Sequence, residues 1–113
     1  MNLHNKKFRA VANHEGLSSD ETIFQYYQQG KVITGRYRGG KIAEGFIVGK
    51  QTSDQAIELL FQCLTTEGEL LSGASQGTLT LNQAGKIEIH FDWQWFNGDQ
   101  SGGKSHYVEV IDM

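Results

Sequence analysis

The amino-acid sequence predicts an all-β fold, an antiparallel up-and-down meander of about eight strands. Three observations predict it. Proline is absent while glycine reaches 14 of 113 residues, a composition that suits a sheet with many tight turns, because proline removes a ladder donor and glycine supplies positive φ. Turn-forming clusters recur along the chain at short intervals. Residues 87–95 alternate strictly, with Ile87, Ile89, Phe91, Trp93 and Trp95 on one face and Glu88, His90, Asp92 and Gln94 on the other. That period of 2 belongs to a strand, since a helix would scatter those aromatic rings around its circumference.

The turn clusters are His14–Ser18, Gln29-Gly30, Gly39-Gly40, Thr52–Asp54, Glu67-Gly68, Asn82–Gly85 and Asn97–Gly103. Between them lie segments of strand length, at about 6–13, 20–28, 31–38, 41–51, 55–65, 69–81, 86–96 and 104–111. Gly39-Gly40 reads as a two-residue hairpin turn. The fifth segment supports two readings. Ile57, Leu60, Phe61 and Leu64 follow a helical spacing with Ser53 or Asp54 as cap, whereas Ile57, Leu59, Phe61 and Cys63 alternate against Glu58 and Gln62. Short connections on both sides favour the strand. Gly35, Gly45, Gly49, Gly73 and Gly77 fall inside strands, where the expectation is bulges or sharp bends that let a sheet curl.

Eight antiparallel strands with one apolar face and no covering helix leave two unpaired edges, and closure removes both. The chain is therefore expected to be a single domain over residues 1–113, a closed barrel of lipocalin or streptavidin type. One cysteine, Cys63, allows no internal disulfide, and the segment Met1–Lys7 lacks the apolar run of a leader. These features lead to the expectation of a cytoplasmic protein. A formal charge of −3 with scattered lysines and arginines argues against a nucleic-acid partner, and no stretch is long and apolar enough for a membrane helix.

Two stretches carry a resemblance. Gly39-Gly40-Lys41-Ile42-Ala43-Glu44-Gly45-Phe46-Ile47-Val48-Gly49-Lys50 and Trp93-Gln94-Trp95-Phe96-Asn97-Gly98-Asp99-Gln100-Ser101-Gly102-Gly103-Lys104-Ser105 resemble motifs of a family of small bacterial proteins often labelled N-acetylglutamate synthase. The resemblance runs from about Lys6 to Glu109 and implies strand, not helix, for the fifth segment. The label implies transfer of an acetyl group from acetyl-CoA to glutamate. The residues themselves contain no glycine loop ahead of a helix, the usual acetyltransferase device for holding pyrophosphate, so they lean away from an enzyme.

Phe24, Tyr26, Phe46, Phe91, Trp93 and Trp95 are assigned to inward rows, and they form the candidate lining of a site for a small apolar or amphipathic ligand. That reading requires a cavity above about 300 Å³; the competing one has the rings simply filling the core. Glu44 shares a face with Ile42, Phe46 and Val48 if the alternation is regular. It is a candidate ligand anchor or raised-pKa acid, unless a bulge at Gly45 turns it outward. His90 and Asp92 share the outer face of the seventh strand, with His106 near if the last two strands pair. They could act as base and orienting acid or as half a metal site, against the default of a solvated face. Arg36, Arg38 and Lys41 flank a hairpin tip, and Cys63 reads as buried and inert. No cofactor and no metal are expected. A closed-core barrel acting through exposed Tyr27, Phe96 and Tyr107, as an interaction module or homodimer, is the second function class, and an enzyme the third.

Overall fold

The structure is a computed structural model that describes residues 1–13, 19 and 21–110. Its strands are β1 (Lys6–Asn13), β2 (Ile23–Gln29), β3 (Val32–Gly39), β4 (Ile42–Ser53), β5 (Ala56–Thr65), β6 (Leu70–Leu81), β7 (Ile87–Trp95) and β8 (Gly102–Val110). Each pairs antiparallel with the next, and β8 pairs with β1, so the sheet closes in the order β1-β2-β3-β4-β5-β6-β7-β8. Closure satisfies the edge groups that an open meander would expose. The fifth segment is strand throughout, with Ile57, Leu59, Cys63 and Thr65 buried and Glu58, Leu60, Gln62 and Leu64 exposed. The helical spacing of Ile57, Leu60, Phe61 and Leu64 is coincidental, because pairing to β4 and β6 along its length fixes the alternation. β8 begins two residues earlier than the turn chemistry implied, since Gly102 and Gly103 already pair with Gln94 and Trp93. The His14–Ser18 turn cluster lies outside the described residues.

The five interior glycines are not the surplus residues of bulges: each has a register partner on both neighbouring strands, although Gly45 borders the shift between Tyr37 and Gly39 of β3. They point inward and leave room for the bulky side chains of the core. A Cβ on Gly45 would lie 2.5 Å from Cζ of Tyr37, and Cβ atoms on Gly73 and Gly77 would lie 2.7 and 2.6 Å from the rings of Phe61 and Phe91. Gly35 and Gly49 likewise sit beneath Tyr26 and Leu59. A narrow barrel holds so many rings because the strands opposite them carry no side chain there. Conformational freedom matters instead at the β3–β4 turn, where Gly39 and Gly40 adopt φ of 116° and 61°.

The extra residues lie elsewhere. Ile42 and Glu44 of β4 oppose Thr65 and Leu64 of β5, and on the other side Ile42 and Gly45 oppose Gly39 and Tyr37 of β3. Ala43 is thus unmatched against both neighbours. Thr52 in β4 and Val11 in β1 are unmatched in the same way.

The meander gives the barrel two unlike ends. One carries the β2–β3, β4–β5 and β6–β7 turns and is stoppered by the segment before β1. Leu3 is fully buried there, and its amide donates to Gln28 Oε1 at 2.9 Å. Gln28 Nε2 donates to Gln51 Oε1 at 2.7 Å, and Gln51 Nε2 to the Met1 carbonyl at 2.9 Å. The Met1 ammonium meets Asp54 Oδ1 at 2.7 Å. Phe8, Ile33, Ile57, Leu79 and Ile89 close the core above Leu3. The opposite end, between the β3–β4, β5–β6 and β7–β8 turns, is the mouth.

Candidate functional site: an aromatic barrel mouth

Inward side chains near the mouth are mostly aromatic. Phe24 stacks on Tyr37 with centroids 4.9 Å apart and meets Tyr107 edge-on at 4.8 Å. Phe91 meets the other side of Tyr107 at 5.6 Å. Trp95 meets Phe61 at 5.1 Å and Trp93 at 6.1 Å, both edge-on. Such offset and T-shaped pairs each contribute about 1 kcal/mol beyond burial. Trp95, the last residue of β7 before the mouth, is buried, whereas Trp93 is only half-buried.

The rings leave a partly open pocket of about 70 Å³ that Trp93, Trp95, Tyr26, Phe24, Phe91 and Tyr37 line together with the buried hydroxyl residues Ser75 and Ser105. That is far below the roughly 300 Å³ that the interior-ligand reading requires, so among the described residues the aromatic mouth holds no such chamber and the competing reading fits: the rings mostly fill the core. The space is enough for a few water-sized groups.

Polar groups around it are few and desolvated. Burial raises the Tyr26 and Tyr37 phenols far above their usual range, with the Cys63 thiol a further contributor for Tyr37. Burial also raises the Cys63 thiol, which keeps it protonated. The Tyr37 hydroxyl is buried and, among the described residues, makes no well-formed hydrogen bond. An unsatisfied buried hydroxyl costs roughly 1–3 kcal/mol, and it is a ready donor for an oxygen entering the mouth.

The loop between β7 and β8 fixes the rim. Asn97 accepts from the Ser72 amide at 3.0 Å and donates to the Leu70 carbonyl at 2.9 Å, tying the loop to β6. Asp99 accepts the Ser101 amide at 2.9 Å, and this holds its carboxyl below the usual range. The Trp93–Ser105 motif therefore combines two rings for the mouth with two side chains that shape its loop.

Phe46 does not belong to this site. It lies on the outer face, 45% exposed, with the Arg36 guanidinium 5.4 Å above its ring. The unmatched Ala43 shifts the phase of β4, so Gly45, Ile47 and Gly49 face inward and Phe46 and Val48 face out. Glu44 also turns outward, through Ala43 and not Gly45. Its carboxylate accepts from Arg36 at 2.8 Å and Arg38 at 3.2 Å. Those bonds hold it below its ordinary value, so it is no raised-pKa acid. Tyr107, expected at the surface, is 7% exposed and part of the core. On the outer face of β7, His90 opposes and stacks on His106 with centroids 4.1 Å apart, while Asp92 is taken by Lys104 at 2.7 Å.

Tyr37, Phe61, Ser75 and Ser105 were missed from the sequence. The signal for Tyr37 was present: it alternates with Arg36 and Arg38, so the charges on one face imply that its ring lies on the other. Ser75 falls in an inward row with Gly73, Gly77 and Leu79, where a small polar residue among glycines marks a gap.

A closed eight-stranded antiparallel barrel, stoppered at one end and lined by aromatic rings at the other among the described residues, defines a calycin-type, streptavidin-like barrel. A family model described as Avidin-like protein matches residues 1–110, and the chain belongs to that family. Comparison with curated proteins and with solved structures gave no match.

Proposed function

We propose that the protein binds a small molecule at the barrel mouth, with a compact polar head group in the pocket beneath Trp93 and Trp95 and the Tyr37 hydroxyl as its donor. The observation that carries this reading is the buried Tyr37 hydroxyl, which among the described residues makes no well-formed hydrogen bond, on a residue that lines the aromatic mouth. Family membership supports the reading, since avidin-like barrels bind small ligands such as biotin. The modest pocket limits what enters to a small head, the rest of the ligand lying between the rim loops or displacing the half-buried Trp93. Stacking on the indoles would hold a flat head, and Ser75 and Ser105 offer further hydroxyls. Tryptophan fluorescence titrations with biotin and with the cyclic urea imidazolidinone test this. A saturable change is expected with at least one of them. Tyr37→Phe should weaken it by about tenfold, the worth of one buried hydrogen bond, and Ser75→Leu, which fills the pocket, should abolish it. A flat titration with both compounds, or one that Ser75→Leu leaves unchanged, would overturn the assignment.

A second reading rests on the outer face. Val48 and Leu60 are cross-strand neighbours, each 54% exposed, and Ala74 continues the row onto β6. With Phe96 they border a broad groove of about 540 Å³. We infer a self-association surface here, in keeping with the oligomers common among avidin-like proteins. Light scattering on the eluted protein should give a mass above one chain, reduced to one chain by Leu60→Lys. A wild-type monomer at high concentration would refute it.

A further inference from the structure

On the outer wall of the barrel, away from the mouth, β7 and β8 bring together three side chains that the ligand-binding reading does not use. His90 and His106 are direct cross-strand partners, and their rings stack 4.1 Å apart at 19°. Glu88, two residues before His90 on the same face, reaches diagonally to His106, with Oε1 2.5 Å from Nε2. One donor atom from each of the three lies within 4.8 Å of the others, the one such convergence of three among the described residues. His90 is exposed, and His106 and Glu88 are half-buried. The two histidines also border an open concavity of about 370 Å³ with Thr78, so the cluster is reachable from solvent.

We propose that Glu88, His90 and His106 form a binding site for a divalent transition-metal ion of borderline softness, such as zinc. Two imidazoles and one carboxylate are the donor set such ions select, whereas calcium and magnesium require a shell of oxygens. Donors around a tetrahedral ion sit about 3.4 Å apart. The present spread of 4.8 Å closes by a rotamer adjustment of His90, which is exposed and free to make it. The ion takes the place of the hydrogen bond between His106 Nε2 and Glu88 Oε1, and as for any imidazole and carboxylate ligands its binding weakens under acid. Asp92 lies further along the same face but is paired with Lys104, and it stays outside the set. Three protein ligands leave a coordination position for water or an incoming donor, and the ion would staple β7 to β8.

Equilibrium dialysis of the full chain against zinc chloride near neutral pH tests the site, with bound metal measured by atomic emission. About one zinc per chain is expected, with a rise in thermal midpoint, and magnesium chloride should produce neither. His90→Ala and His106→Gln should each weaken zinc binding by roughly tenfold or more, while Asp92→Asn should bind as the wild type does. His90 is exposed, so its substitution leaves the fold intact and a loss there reports the site itself. Zinc retained at full affinity by both histidine variants, or no zinc bound by the wild type, would overturn the proposal. Either result leaves the mouth-binding assignment standing, since no residue is shared.

Discussion

Glu44 and Gly45 are adjacent, and they face opposite sides of the barrel wall with opposite consequences. Outside, the Glu44 carboxylate is held by Arg36 and Arg38 and titrates below its usual range. A group whose pKa is lowered on folding contributes stability above its unfolded value and loses it as pH falls through the folded value. Comparing urea midpoints of the wild type and Glu44→Gln should therefore show the wild type ahead at neutral pH and the gap shrinking as pH falls below the ordinary carboxylate pKa. An equal gap at both pH values would mean that the ion pairs are not its source. Inside, Gly45 lies against the Tyr37 ring, and a Cβ there would come within 2.5 Å of it. Gly45→Ala should cost about 1–3 kcal/mol by overpacking. Because the ring must shift, ligand binding at the mouth should weaken in the same variant. Urea unfolding and fluorescence titration read the two effects separately. Stability unchanged would show that Tyr37 has room to move.

At the scale of the element, β4 explains both what the sequence disclosed and what it concealed. Its start near Ile42 and its turn at Gly39-Gly40 were legible because glycine chemistry marks the turn. Its facing was not, because regular alternation from Ile42 puts Glu44 and Phe46 inward, and only pairing with β3 and β5 reveals that Ala43 is surplus. Long-range register decides a bulge, and local pattern does not carry it. In β7 the pattern and the register agree, so Phe91, Trp93 and Trp95 could be read directly. Deleting Ala43 should leave a folded protein, since it restores ordinary pairing while Ile42 and Gly45 keep their inward faces. Deleting Val48 should be far more damaging, because half the strand would turn inside out. Soluble yield and unfolding midpoints of the two deletions check this, and equal damage would contradict the assignment of the bulge. The stopper before β1 is a second such element. Leu3 is fully buried, and Leu3→Ala should cost about 3 kcal/mol in chemical denaturation; a loss under about 0.5 kcal/mol, in the range of a surface substitution, would show that the segment merely rests on the barrel end.

For the whole molecule, closure was foreseeable from the edge problem and the missing helices, whereas the filling of the interior stood only as one of two readings. Aromatic rows alone cannot distinguish a chamber from a packed core; the answer depends on how Tyr37, Phe61 and Tyr107 meet across the barrel. Closure also predicts where the barrel opens. Every seam is a hydrogen-bonded ladder, but the seams differ in length. β4 and β5 share ten register pairs, from Ile42 with Thr65 to Ser53 with Ala56, whereas β1 and β2 share four among the described residues, from Lys6 with Tyr26 to Arg9 with Ile23. The β1–β8 seam is better secured, because Glu109 accepts from Lys6 at 3.1 Å and from the Ile87 amide at 3.0 Å, linking β1, β8 and β7. Local opening follows the least costly break, so the β1–β2 seam should part first and turn the barrel transiently into an open sheet with β1 still attached to β8. Native-state hydrogen exchange should then show protection factors across Lys6–Arg9 and Ile23–Tyr26 roughly tenfold or more below those across β4 and β5. Uniform protection around the barrel would instead mean that it opens only by global unfolding, and that the short seam is held as firmly as the long one.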